Sequence, residues 1–204
     1  MKLNSSDLKT LALCWLRFGR QMELVATEAG HWNADVYGMT DNETVEIEVK
    51  VSKQDLKVDS QKPKHNYFRR CSTADTHSIV PNRFFFLVPE SLEDAALEEA
   101  VKINPCYGVL VAKNEINYGD YHAHKMLKCA RKAKAMHENK PSVRARLALI
   151  RRMSSELCGW YLSGGFTKHM IQAIKGLENE QDINAWEIAG KEMMEAPVLN
   201  LNQH

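Results

Sequence analysis

Apolar residues recur at helical spacing near the start of the chain. Over residues 5–22 they lie one, three or four positions apart, at Leu8, Leu11, Ala12, Trp15, Leu16 and Phe18. Ser5 and Ser6 precede this stretch, and serine is a preferred N-cap residue. The pattern therefore predicts a first helix that begins at these serines.

The next three apolar stretches are short, which is typical of strands. They cover residues 24–29, 33–39 and 45–51, and the sequence Thr-Asp-Asn-Glu at 40–43 predicts a turn between the last two. Ser52 and Asp55 have the spacing of a capping box. A helix or helical turn is therefore expected directly after the third strand.

Two continuous apolar runs follow, at residues 84–88 and 107–112, with a helix predicted between them at 91–102. Short apolar runs without alternation indicate strands buried on both faces. Residues 72–81 are polar and predict a loop, and helical spacing returns from residue 142. This order of elements predicts an α/β domain over residues 1–140 and a helical extension over 141–204. The helices of the extension are candidates for a homo-oligomer interface, a DNA clamp or a partner-docking surface.

Composition narrows the class of protein. No apolar run approaches the roughly 18 residues of a membrane span, and the N-terminus lacks the continuous apolar stretch of a signal peptide. The five cysteines are scattered and form no CxxC pair, so neither disulfides nor a structural zinc is expected. We therefore expect a cytoplasmic protein with no membrane partner.

Charge is unevenly distributed, although the formal net charge is only +1. Residues 50–70 hold seven Lys or Arg against two Asp, and residues 122–152 hold ten against one Glu. Two local basic blocks on a balanced chain indicate a polyanion partner. The alternative is that both blocks are solvated helix faces.

The third predicted strand places charged side chains on one face. Val45, Ile47, Val49 and Val51 alternate with Glu46, Glu48 and Lys50. If residues 33–39 and 45–51 form a hairpin that turns at residues 41 and 42, Asp35 faces Glu48 across the two strands. Their Cβ atoms would then be about 4.5 to 5.5 Å apart, where two carboxylates repel each other.

A divalent cation would offset this repulsion, because Mg²⁺ prefers carboxylate oxygens and keeps water positions open for phosphate substrates. Lys50 lies on the same face, where its ammonium group could neutralise charge on a reacting phosphate or orient a water. Glu46 lies nearer the turn and is expected to be solvated. A half-buried strand with a solvated polar face would show the same alternation.

Ala34-Asp35 and Glu48-Val49-Lys50, in this order of elements, resemble the PD-(D/E)xK nuclease superfamily. Ala34 stands where the pattern's name has proline, a departure that leaves the metal ligands unchanged. Residues 52–56, followed by Lys62, Lys64 and Tyr67 and by residues 82–89, are similar to small bacterial and phage DNA-repair members. The resemblance covers about residues 5–115.

This resemblance implies a restriction-endonuclease-like fold, in which helices flank a mixed central sheet. It implies Mg²⁺ or Mn²⁺ bound by Asp35, Glu48 and the Val49 carbonyl, with Asp35, Glu48 and Lys50 as catalytic residues. Glu28 is a further candidate ligand, because members often carry an extra acidic residue near the metal; the alternative is an exposed glutamate.

Candidate DNA contacts follow the third strand closely in sequence. Tyr67 could stack on a base or pack within the protein. The resulting hypothesis is a metal-dependent nuclease that hydrolyses DNA phosphodiester bonds. A DNA-binding or assembly subunit that does not cleave, and a nuclease that acts on RNA, are the alternatives. The candidate contact residues are Lys53, Lys62, Lys64, His65, Tyr67, Arg69 and Arg70.

Overall fold

The structure, a computed structural model, describes residues 3–70, 80–113 and 123–163. The chain divides into two compact units, Met1–Glu156 and Leu157–His204. The described part of the second unit is the end of one long helix and the residue after it. The predicted boundary between residues 140 and 141 stays a prediction, and Gly164-Gly165 lies outside the described residues.

Six strands form one mixed sheet in the first unit, and they follow one another across the sheet in chain order. The outer pairs are antiparallel, whereas β3, β4 and β5 run parallel to each other. Helices flank the sheet, so the α/β class is as expected. The strands are β1 (Leu24–Ala29), β2 (Ala34–Met39), β3 (Thr44–Val49), β4 (Arg83–Pro89), β5 (Gly108–Ala112) and β6 (Leu127–Arg131).

The first helix, α1 (Ser5–Cys14), continues into a π-helical turn at Trp15–Gly19. Its N-cap is Asn4, not Ser5 or Ser6. The Asn4 side chain accepts from the Asp7 amide at 3.0 Å, and the Asp7 carboxylate accepts from the Asn4 amide at 2.9 Å. The reciprocal pair satisfies two amides that a helix start leaves unpaired, so Asn4 caps the helix and Ser5 is its first residue.

The segment after β3 contains two helices, α2 (Lys53–Asp59) and α3 (Pro63–Arg70). The Ser52 side chain accepts from the Asp55 amide, so the predicted helix start is confirmed. Pro63 lacks an N–H and is suited to the first turn of the next helix. A fourth helix, α4 (Glu93–Ile103), connects β4 to β5, and α5 (Val143–Leu162) begins after β6.

The apolar core has a layer on each face of the sheet. One layer joins α1 to the inward residues of β3 and β4, including Ile47 and Leu87. The other joins α2, α3 and α4 to Phe84 and Phe86. β4 is therefore buried on both faces, as its apolar run predicts.

A smaller cluster lies at the β1 edge of the sheet. There Leu149 of α5 packs with Ala26, Ala29 and Met39. In the described ranges no helix has both the length and the apolar character needed to cross a bilayer.

Candidate active site

The β2–β3 hairpin has the predicted register. Val36 pairs with Ile47 and Tyr37 with Glu46, and the same register continued by one residue places Asp35 opposite Glu48. Asp35 Oδ2 accepts a hydrogen bond of 2.8 Å from the backbone N–H of Val49. Since the N–H and C=O of a strand residue point to the same edge, the Val49 carbonyl is directed to the Asp35 side of β3 as well.

Glu28 lies near Asp35, and one ammonium group joins them. Lys9 Nζ on α1 is 3.0 Å from Asp35 Oδ1 and forms a close ion pair with Glu28. Burial would lower the pKa of Lys9, but the hydrogen bonds and charges of the two carboxylates outweigh it and raise the pKa. Asn33 Nδ2 donates to the other Glu28 oxygen at 2.9 Å. The structure thus brings together two of the predicted ligand carboxylates.

The charged face of β3 is buried, because α3 covers it. Glu46 is only 1% exposed, which contradicts the expectation that it is solvated. Lys64 on α3 is 2% exposed, and its Nζ lies 2.9 Å from Glu46 Oε1 and in close contact with Glu48 Oε1. The alternation identified this face correctly but did not indicate which element packs on it.

The other oxygen of Glu48 belongs to a second set of ion pairs. Glu48 Oε2 lies 3.1 Å from Lys50 Nζ and 3.2 Å from Lys62 Nζ. The same two ammonium groups are 2.7 and 2.6 Å from Asp59 Oδ1. Asp59 Oδ1 makes no well-directed hydrogen bond, so these two charges neutralise it. We call Glu46, Glu48, Lys50, Asp59, Lys62, Lys64 and His65 the buried ion cluster.

His65 completes the cluster behind Asp59. Its Nε2 lies 2.8 Å from Asp59 Oδ2, and its Nδ1 lies 2.6 Å from the Tyr107 hydroxyl. Burial, which disfavours the imidazolium form, lowers the pKa of His65 despite the nearby Asp59. A neutral imidazole has one N–H, so Nε2–H donates to the acceptor-only carboxylate and Nδ1 accepts from the Tyr107 O–H.

The carboxylates of the cluster differ in how well their charge is stabilised. Burial alone would raise the pKa of Asp59, but the His65 hydrogen bond and the Lys50 charge hold it well below its usual range. Burial is likewise outweighed at Glu48, where the charges of Lys64 and Lys50 lower the pKa. At Glu46 burial prevails over Lys64 and raises the pKa to about 7.

The predicted nucleic-acid contacts are divided between surface and interior. Lys53 is exposed, Lys62 is 43% exposed at its side chain and Tyr67 is 50% exposed. Lys64 and His65 are buried in the ion cluster, where no phosphate can contact them.

Arg69 and an aromatic pair lie next to these residues. Arg69 Nε donates to the Ile103 carbonyl, and the Arg70 side chain lies outside the described residues. Tyr67 packs on Trp32 with ring centroids 5.3 Å apart. The aromatic contact links α3 to the loop that precedes Asp35.

A cleft of about 510 Å³ lies on the Glu28 side of the site. It is formed between β1, β2 and α5, and its lining includes Glu28, His31, Arg144 and Arg152. Arg152 Nε donates to the Thr27 carbonyl at 2.9 Å, which fixes the arginine against β1. Part of the second basic block therefore lies beside the predicted ligands.

Asp59 was not identified from the sequence, although it holds the predicted catalytic lysine. The only local signal is its spacing of three residues from Lys62 and six from His65, which places charged groups near one another on consecutive helices. Such spacing is common on solvated helices, so the burial of Asp59 was not predictable.

The predicted metal ligands are the carboxylates of Asp35 and Glu48 and a backbone carbonyl. These are oxygen donors, which hard divalent cations prefer. Among the described residues, no three His, Cys, Asp or Glu side chains gather closely enough to hold a metal on their own. Each predicted carboxylate is instead neutralised by lysine. The donor atoms of these residues therefore suit a divalent cation, but lysine ammonium groups contact the carboxylates in this structure.

Comparison with models of known protein families, with curated proteins and with solved structures finds no match for this chain.

Proposed function

We propose that this protein is a metal-dependent nuclease with a restriction-endonuclease-like fold that hydrolyses DNA phosphodiester bonds. The observation that carries the proposal is the hydrogen bond from the Val49 amide to Asp35, in a register that sets Asp35 opposite Glu48. It supports an arrangement in which two carboxylates, a backbone carbonyl and Lys50 share one end of the hairpin.

Asp35, Glu48 and the Val49 carbonyl would hold Mg²⁺ or Mn²⁺, which supplies a polarised water and positive charge for the phosphate. Lys50 would donate to a phosphate oxygen as negative charge develops there. In the hydrolysis, a water oxygen would form a bond to phosphorus as the bond to the leaving sugar oxygen breaks. The water would lose a proton to solvent, and the leaving oxygen would take one up. Glu28, which lies near Asp35, would contact a metal-bound water or take a position outside the inner ligand set.

The lysine contacts of Glu48 require one ammonium group to leave before a cation can bind there. Lys62 is the suitable one, because its side chain is 43% exposed whereas those of Lys50 and Lys64 are 8% and 3% exposed. Once turned outward, Lys62 would be available to a DNA phosphate beside the exposed Lys53.

A second candidate function has its own observation. Both Glu48 oxygens are neutralised by lysine, an arrangement that is stable without metal and would suit a DNA-binding or assembly subunit that does not cleave. RNA as the substrate is a further alternative within the nuclease proposal.

The test is incubation of the purified protein with linear, circular and single-stranded DNA and with RNA, each with Mg²⁺, with Mn²⁺ and with chelator. We expect metal-dependent cleavage of DNA that Asp35→Asn, Glu48→Gln and Lys50→Met each abolish, with Glu98→Gln, at an exposed position of α4, as the control. Binding without cleavage would favour the DNA-binding or assembly subunit that does not cleave. Selective cleavage of RNA would identify RNA as the substrate. Parental cleavage by the site variants would refute this active site.

A further inference from the structure

We propose that Asp59 is the positioning residue for Lys50: it holds the lysine ammonium at the site, and His65 and Tyr107 hold Asp59 in turn. This inference rests on the proposed nuclease function. It assigns a role to three residues that neither the nuclease motif nor its spacing includes.

The first step is the position of the ammonium group. Lys50 Nζ lies between Asp59 Oδ1 at 2.7 Å and Glu48 Oε2 at 3.1 Å. The shorter contact is to Asp59, which ends α2 and is 1% exposed. A lysine has a flexible four-carbon stem and no fixed fork geometry, so its ammonium is placed only by the groups that bind it. Glu48 would also be occupied as a metal ligand. Lys62, the other ammonium group at Asp59 Oδ1, would have turned outward, so Asp59 remains as the partner of Lys50.

The second step is what fixes Asp59. Its other oxygen accepts from His65 Nε2 at 2.8 Å, and the Tyr107 hydroxyl donates to His65 Nδ1 at 2.6 Å. Tyr107 is fully buried, and its ring lies 4.2 Å from that of Phe84. Tyr107, His65, Asp59 and Lys50 therefore form one chain of hydrogen bonds and charge, anchored in the apolar layer under α3.

A purely structural role for Asp59 gives different expectations. A buried carboxylate that only neutralises lysines would affect folding, and any loss of rate would follow from a looser core. Glu46 is the matched control, because it is equally buried in the same cluster but contacts Lys64 and not Lys50. A positioning role predicts that the two carboxylates differ in their effect on kcat.

The experiment compares Asp59→Asn with Glu46→Gln in steady-state cleavage of DNA at saturating substrate. Each variant is also measured for DNA affinity, Mn²⁺ affinity by calorimetry and thermal stability. We expect Asp59→Asn to lower kcat about 10- to 100-fold, as supporting residues of metal sites do. The affinities for DNA and Mn²⁺, which the release of Lys62 from Asp59 can change, should shift by less than the rate. Asp59→Glu should recover part of the rate, and Glu46→Gln should keep the parental kcat.

Unchanged kcat in Asp59→Asn, or equal losses in Asp59→Asn and Glu46→Gln, would overturn the inference. If Asp59→Asn does not fold, Tyr107→Phe decides, because it removes only the hydroxyl behind His65. A severalfold lower kcat with parental DNA affinity then supports the chain, and an unchanged kcat refutes it. Parental cleavage by Lys50→Met would instead refute the proposed function itself.

Discussion

Replacement of Glu48 by glutamine tests the buried ion cluster without any assay of activity. The side chain of Glu48 is 4% exposed and is neutralised by three ammonium groups. Removal of one member of a buried ion pair costs about 3 to 5 kcal/mol, because its partner is left uncompensated. From repulsion between Asp35 and Glu48 alone, the sequence predicts unchanged or higher stability without metal. From the structure we expect the opposite: Glu48→Gln should lower the stability of the metal-free protein.

The expected size follows from which lysine can leave. Glu48→Gln leaves one excess positive charge in the cluster, and Lys62 can turn to solvent and remove it. We therefore expect the lower end of the range, about 3 kcal/mol of unfolding free energy. For a domain of this size this corresponds to a fall in Tm of about 6 to 12 °C.

The assay is urea unfolding and thermal melting of the metal-free protein, followed by circular dichroism. Glu98→Gln is the control, since Glu98 is exposed on α4 and its replacement should stay within about 0.5 kcal/mol of the parent. Asp35→Asn should cost less than Glu48→Gln, because asparagine can still accept from the Val49 amide. A Glu48→Gln protein that is as stable as the parent would show that the cluster does not form, and the repulsion argument would then stand.

Three further predictions concern binding and pH. Replacing Lys53 and Lys62 together by glutamine should weaken DNA binding and flatten the slope of log affinity against log salt by about 2; fluorescence anisotropy with an unchanged slope would remove both from the contact surface. Tyr67→Ala should weaken binding of single-stranded DNA by about 1 to 3 kcal/mol while Tyr67→Phe keeps it, and equal affinities would mean that the ring only packs on the protein. The lowered pKa of His65 stabilises the folded state above the ordinary histidine value, and this contribution is lost as pH falls through the lowered pKa. Between about pH 7 and pH 5 this contribution should fall by about 1.4 kcal/mol for each unit of lowering, and the raised pKa of Glu46 acts in the opposite direction over the same range; in denaturant titrations the difference in unfolding free energy between the parent and His65→Gln should therefore shrink by that amount from pH 7 to pH 5.

Five of the six strands of the sheet were predictable, because their sequences show either alternating or continuous apolar residues, which indicate burial on one face or on both. β6 was missed, since Leu127–Arg131 lies in a basic segment, has Leu127 as its one buried residue and becomes a strand only by pairing with β5. Edge strands of this kind need one apolar side at most, so their sequence resembles a solvated loop. The break between α2 and α3 was missed too, although Pro63 marks it.

In the candidate site, too, the features set by local sequence were predictable and those set by tertiary packing were not. The register of Asp35 and Glu48 follows from the turn and the period of the strand, both of which are local. The burial of Glu46, Asp59 and Lys64 depends on where α3 packs, which is a tertiary property. Charged helices that cover a charged strand have the same composition as solvated ones, so the pattern could not distinguish an interior ion cluster from a surface.

The charges of the buried ion cluster limit how a cation and a substrate can enter together. Three carboxylates face three ammonium groups and the histidine is neutral, so the cluster has no net charge once Glu46, whose pKa is raised to about 7, is also ionised. A divalent cation alone would add two positive charges to a site that excludes water, which is costly. Outward movement of Lys62 would remove one positive charge from the cluster, and a DNA phosphate would bring the compensating negative charge. In the proposed nuclease, the cluster would therefore favour joint binding of cation and phosphate over binding of the cation alone, a coupling that a solvated pair of carboxylates would not impose.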